Sequence, residues 1–305
     1  MSSYLSLLRN EATSVIAVEL RPPRAELQSS EGMDAWIDTY HSIRSLTRND
    51  VRVMVTDNAV GAREENNLRH LVANLGDTVA RDRIIPFLTT KHSLEYCLAY
   101  ADQAAQTGFP SLVVLGGDKH LGRPRCLEHA WQLRRLIRQR HPGLELGGWA
   151  NPVADPEGQV RYLLDGDANA DFFLTQIVSH HQAGQLRAFL EAGRRGGVLA
   201  PGVFGVFYYR SANATTLDLL SQFMPVPVDA LKAEFAAGAT PVEVCARTIR
   251  TLIDLGARHF YVSNLPIRKT AATLSAILDK AGIREPGSGN RNSQPAPGSR
   301  LPVPD

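Results

Sequence analysis

Eight short apolar runs, each ending in polar residues, constrain the fold of this chain more than any other feature. They span residues 15–20, 51–56, 84–89, 111–116, 144–149, 171–176, 201–207 and 259–263. The stretches between them mostly carry helical periodicity. Eight strand-then-helix units in 305 residues predict an α/β fold, a closed (β/α)₈ barrel in a single domain. Barrels of this kind build their chemistry at the C-terminal ends of the strands. Here those ends carry Glu19, the Thr56-Asp57-Asn58 run, Thr89, Asp118, Trp149 with Asn151, the Thr175-Gln176 pair, the Tyr208-Tyr209-Arg210 run and Asn264.

The expected helices follow from apolar spacing. Met33, Trp36, Ile37, Tyr40, Ile43 and Leu46 recur at intervals of three and four, giving a helix over 31–46. Further helices are expected over 93–106, 125–140, 159–165, 181–192 and 271–281, with a short capping helix over 4–9 at the bottom of the barrel. The seventh unit is extended by extra helices near 217–223, 228–237 and 241–255. The barrel is expected to occupy residues 1–283. Residues 284–305 are rich in Pro, Gly, Ser and Asn and nearly devoid of large apolar side chains, so they read as a disordered tail.

Composition narrows the functional classes. There are 33 basic and 31 acidic residues, a net charge of +2, which points to no nucleic-acid partner. No apolar stretch reaches the roughly 18 residues of a membrane span, so no membrane partner is expected. The first ten residues lack the basic and apolar regions of a secretory signal. Cys97, Cys126 and Cys245 are odd in number and scattered, which argues against a disulfide framework and against a zinc site. A reducing cytoplasmic setting is the expectation, with a homo-oligomer as the assembly.

The first strand carries the most distinctive chemistry. Glu19 lies on an apolar strand just before Pro22-Pro23, which stiffen the turn and fix the direction of the carboxylate. Partial burial raises a carboxyl pKa toward the range of a general acid. The competing reading is a rim ion pair with Arg21 or Arg24. His180-His181 reads as a solvated helix start, since neighbours on a helix point about 100° apart and suit one metal poorly; no metal site is expected. The run 134–140, with four arginines, reads as the polar face of a helix.

Motifs at the strand ends resemble those of the methylenetetrahydrofolate reductase family. Glu19-Leu20-Arg21-Pro22-Pro23-Arg24 is similar to its opening Glu-x-x-Pro-Pro-Arg. Val55-Thr56, Pro86-Phe87-Leu88-Thr89, Leu115-Gly116-Gly117-Asp118, Gly148-Trp149-Ala150-Asn151-Pro152 and Ala168-Asn169-Ala170-Asp171 through Thr175-Gln176 follow in the family's order. The resemblance covers about residues 13–282 and implies a barrel enzyme. Such an enzyme reduces 5,10-methylenetetrahydrofolate to 5-methyltetrahydrofolate with NADH or NADPH through non-covalent FAD. By motif, it makes Glu19 the acid that protonates folate and Asp118 the anion near the flavin and the cationic folate. It makes Gln176 a pterin ligand and places Thr56, Asp57, Ala59, Thr89, Gly117 and Trp149 on the cofactor side. Tyr209 is a candidate for stacking on a folate ring and Arg210 for meeting the folate glutamate.

The departures gather on the flavin side. Phe87 stands where the family has His, Gly116 where it has Arg, and Asp165 where it has a Lys for the flavin tail; Gly158 replaces an Asp upstream. A carboxylate near pyrophosphate repels it. Lys91, His92, Lys119, His120 and Arg123 are the alternative phosphate contacts. Two further readings therefore stay open: hydride passing directly from NAD(P)H to folate without flavin, and a folate-binding protein without turnover.

Overall fold

The structure is a computed structural model, describing residues 3–23, 27, 29–57, 67–165 and 170–283. Asn58, Ala59, Arg24, Ala168, Asn169 and the tail expected over 284–305 lie outside the described residues. Eight parallel strands close into one barrel in sequence order. They are β1 (Ile16–Leu20), β2 (Arg52–Val55), β3 (Ile84–Thr89), β4 (Ser111–Leu115), β5 (Glu145–Ala150), β6 (Phe172–Val178), β7 (Gly202–Phe207) and β8 (His259–Ser263). This is the single-domain (β/α)₈ fold that the apolar runs predict.

Alternation along the strands sorts the core into two parts. Ala17, Met54, Phe87, Val113, Leu174, Val203 and Tyr261 fill the barrel interior. Their neighbours Val18, Val53, Leu88, Leu112 and Val262 face outward to the helices. Two glycines make room for large interior rings. A Cβ on Gly147 would lie 2.7 Å from the Phe172 ring, and one on Gly205 would overlap the Tyr261 ring. Small-beside-large pairing of this kind fills a barrel without voids.

The outer layer comprises α2 (Ser29–Arg48), α3 (Asn67–Leu75), α4 (Leu94–Gln106), α5 (Ala130–Arg140), α6 (Pro156–Leu164), α7 (Ala183–Gly196), α10 (Pro241–Asp254) and α11 (Thr270–Ala281). In the seventh unit α8 (Ala214–Ser221) and α9 (Val228–Ala236) precede α10, the extension expected from sequence. The helix expected over 125–140 starts only at Ala130. Its N-cap backbone N–H, at His129, donates to the Gln132 side chain at 2.9 Å, and the five residues before Ala130 belong to the loop after β4. No helix among the described residues is long and apolar enough to cross a membrane.

At the bottom, α1 (Tyr4–Arg9) plugs the barrel. Tyr4 and Leu8 join the interior cluster, and the Tyr4 ring meets Phe172 edge-on at 5.2 Å. Buried His259 ties the plug to the sheet: Nδ1 accepts from the Val15 N–H at 3.1 Å and Nε2 lies 2.9 Å from the Leu8 carbonyl.

Candidate active site

With the bottom closed, the open end is the C-terminal mouth. The inward positions one layer above the core are Glu19, Thr89, Trp149, Gln176, Phe207 and Ser263, with Thr56 just past the end of β2. The mouth is thus lined by a carboxyl, hydroxyls, an amide and two aromatic rings.

Glu19 is half-buried between β8 and β2. It pairs in register with Met54 on one side and hydrogen-bonds the Ser263 side chain on the other. Burial raises its pKa to about 7, against the lowering effects of the Ser263 hydrogen bond and the Arg21 charge. The Arg21 charge is therefore present, as the ion-pair reading anticipates, but desolvation outweighs it. Tyr261 lies one layer below, and its phenol is raised first by burial and then by the Glu19 charge. A carboxyl titrating near neutrality can both hold and release a proton at working pH.

Asp118 behaves oppositely. It follows Gly117, whose φ of +68° turns the chain after β4. Its Oδ1 accepts from the backbone N–H groups of His120 at 2.7 Å and Leu121 at 2.9 Å. Burial pushes its pKa up, but those two N–H donors and the charges of Lys91 and His120 outweigh burial and hold it below the usual range. The two candidate carboxyls therefore stand in contrasting environments, one favouring the acid and one the anion.

Gln176 is aimed by an irregularity. The register between β6 and β7 shifts between Leu174 and Ile177. There the Thr175 Oγ1 takes the Gly205 N–H at 3.0 Å, and the Thr175 carbonyl accepts from the Tyr261 hydroxyl at 2.6 Å. A bulge of this kind re-aims a side chain at a barrel rim. The Gln176 amide lies 3.4 Å from the Phe223 carbonyl and accepts from the Ile177 N–H.

Other predicted residues are placed as follows. Asp57 ties β2 to β3: its Oδ2 accepts from the Thr89 N–H at 2.6 Å and the Thr89 hydroxyl at 2.9 Å, and His92 Nε2 lies 2.9 Å away. Trp149 is 36% exposed at the mouth. Tyr209 is buried just past the end of β7, its ring 4.9 Å from that of Phe207. Arg210 is exposed and donates to the Asn264 carbonyl at 3.3 Å. Asn264 itself has a φ of +67°, an uncommon backbone state for a non-glycine residue, and its side chain donates to the Tyr208 carbonyl.

A flavin, as the resemblance implies, requires cations at its pyrophosphate. Lys91, one candidate, is 2% exposed and its Nζ donates to the carbonyls of Leu121 and Arg123, both at 2.7 Å. His92 is engaged with Asp57. Phe87 is buried among apolar side chains. The Arg125 guanidinium lies over Gly116, where a Cβ would come within 2.8 Å of it, and donates to the Gly117 carbonyl. Arg125 thus fills the space that the departure at Gly116 opens, but it braces the loop. Of the alternative phosphate contacts, Lys91 and His92 are thus engaged within the protein, while Lys119, His120 and Arg123 are exposed in the loop after β4.

Sequence reasoning missed Ser263 and Arg125. Alternation from Tyr261 places Ser263 inward; no local signal marks Arg125. His180 and His181 lie directly before α7, with His181 exposed. They sit in a 3₁₀ turn (His180–Gln182) rather than an α-helix, with rings 4.0 Å apart and both Nε2 atoms on Glu234.

Neither a protein-family model nor a curated protein sequence matches this chain. Among solved structures it is similar to an uncharacterized protein from Clostridium thermocellum that binds two copies of 5-methyl-5,6,7,8-tetrahydrofolic acid. The TM-score is 0.67 at 15% sequence identity, over 89% of this chain and 96% of that one. At this identity the likeness is one of fold: the chain is a (β/α)₈ barrel of the same architecture as a methyltetrahydrofolate-binding protein.

Proposed function

We propose that this chain binds a reduced folate at the barrel mouth and is an oxidoreductase of the methylenetetrahydrofolate reductase type. The observation that carries the reading is the pair of carboxyls, Glu19 raised to about 7 and Asp118 held ionised. Glu19 in its acid form donates its proton to the folate amine nitrogen. The C–N bond of the methylene bridge breaks and its electron pair takes up that proton, leaving an iminium at the other nitrogen. NADH or NADPH delivers hydride to the iminium carbon, giving 5-methyltetrahydrofolate and NAD(P)⁺; solvent reprotonates Glu19. Asp118 offsets the positive charge on the folate. Gln176 offers a donor and an acceptor to the pterin edge, and Trp149 offers an aromatic face to a flat ring. Because Lys91 and His92 are engaged within the protein and Gly116 and Asp165 replace the cationic tail contacts, we favour hydride passing from the nicotinamide to the folate directly.

The methyltetrahydrofolate bound by the Clostridium protein supports folate as the ligand and gives a second reading, binding without turnover. Purified protein, with and without added FAD, is assayed for NADH and NADPH oxidation with 5,10-methylenetetrahydrofolate. Turnover without an absorbance band near about 450 nm, the flavin signature, supports direct transfer. Turnover that depends on FAD overturns the direct route but keeps the reaction. Folate binding with no oxidation of either nucleotide leaves the non-catalytic reading.

A further inference from the structure

Past the end of β6, two imidazoles and a carboxylate converge. His180 Nε2 lies 3.2 Å and His181 Nε2 3.0 Å from the same Glu234 oxygen, Oε2. All three potential ligand atoms lie within 4.8 Å of one another. The Glu234 side chain is 8% exposed, and its other oxygen is held by Arg247. The histidines come from the turn after β6 and Glu234 from α9, so the cluster joins two separate parts of the mouth.

The spacing matches a metal-ligand set. Four ligands about 2.0–2.1 Å from zinc, arranged tetrahedrally, are separated by about 3.3 Å, the edge of the tetrahedron. The two N···O separations approach that edge. The proton arrangement agrees. The Thr248 hydroxyl lies 3.3 Å from the Val244 carbonyl and 2.9 Å from His180 Nδ1; when it donates to the carbonyl, its oxygen is free to accept from Nδ1. That tautomer directs the His180 Nε2 lone pair into the cluster, and such an outer hydrogen bond is the usual partner of a metal-bound histidine.

We infer that His180, His181 and Glu234 form a binding site for one divalent transition-metal ion of the zinc class, with the fourth position open to water. Nitrogen and carboxylate donors in a tetrahedral set suit zinc or cobalt and not calcium or magnesium. The ion would clamp α9 to the turn after β6. Arg247 orients the carboxylate without occupying Oε2.

The test uses full-length protein stripped with a chelator, titrated with Zn²⁺ by calorimetry and with Co²⁺ by visible absorption. The expected result is one equivalent bound, with the intense visible bands of four- or five-coordinate cobalt. His181→Ala and Glu234→Gln should each weaken binding at least a hundredfold, and Thr248→Val about tenfold, as loss of an outer-shell partner does. Circular dichroism checks that each variant is folded, and the wild-type titration stands whatever the variants do. Absence of saturable binding of either metal overturns the site. So does binding that is unchanged in both His181→Ala and Glu234→Gln, which would place the metal elsewhere.

Discussion

Glu19→Gln keeps the shape of the side chain and removes its proton. The substitution should lower the rate of folate reduction about 10²–10⁴-fold, the range for loss of a general acid, while folate affinity stays within about tenfold. In the wild type, reduction should slow as pH rises through about 7, where Glu19 loses its proton. The variant should lose that limb, and a pH profile of kcat for both proteins reads this directly. The same residue carries a stability cost of opposite sense. Its pKa in the folded chain, about 7, lies above the ordinary 4.5. Its favourable contribution is therefore complete below about pH 4.5 and lost as pH climbs through 7. Ionised Glu19 should burden the fold by on the order of 3 kcal/mol at most, at 1.36 kcal/mol per pH unit. Glu19→Gln should then melt higher than wild type at about pH 8 and at the same temperature near pH 4.5. Equal melting at both would mean that water reaches the carboxylate freely.

At the scale of elements, the N-terminal plug has its own pH sensitivity. Burial, with the Arg258 charge behind it, lowers the His259 pKa to about 4, despite the bond to the Leu8 carbonyl. The neutral ring accepts the Val15 N–H, so protonation at Nδ1 breaks the link between plug and sheet. The stability held by His259 is full above its ordinary pKa of 6.5 and is lost as pH falls toward 4, on the order of 3 kcal/mol in all. Melting temperature should drop over that interval in the wild type and drop less in His259→Asn; parallel curves would assign the acid sensitivity elsewhere. The strands were the most legible elements. β3 and β8 stand where their apolar runs lie, because a strand buried on both faces is an unbroken apolar stretch. The helix α3 was missed although Leu68, Leu71, Val72 and Leu75 carry the period. Glu19 was legible because a carboxyl on an apolar strand is rare. The Glu19–Ser263 bond, Arg125 over Gly116 and Glu234 beside the histidines were not, because closure of the barrel and packing of the seventh-unit helices create those contacts.

For the molecule as a whole, α11 (Thr270–Ala281) is the last described helix, and the composition changes after Gly282. Deleting residues 287–305 should leave melting temperature and activity unchanged. A fall of more than a few degrees, or of most of the activity, would show that the segment docks on the barrel or on another copy of the chain. The sealed bottom has a kinetic counterpart. Tyr4 and Leu8 block one end and side chains fill the interior, so in the proposed reaction nucleotide and folate would share one doorway. Two substrates that enter by the same door and react face to face must be inside together. Initial rates measured at several fixed folate concentrations should then give intersecting double-reciprocal lines. Parallel lines would mean that the nucleotide leaves before the folate arrives, its electrons parked on a carrier in between.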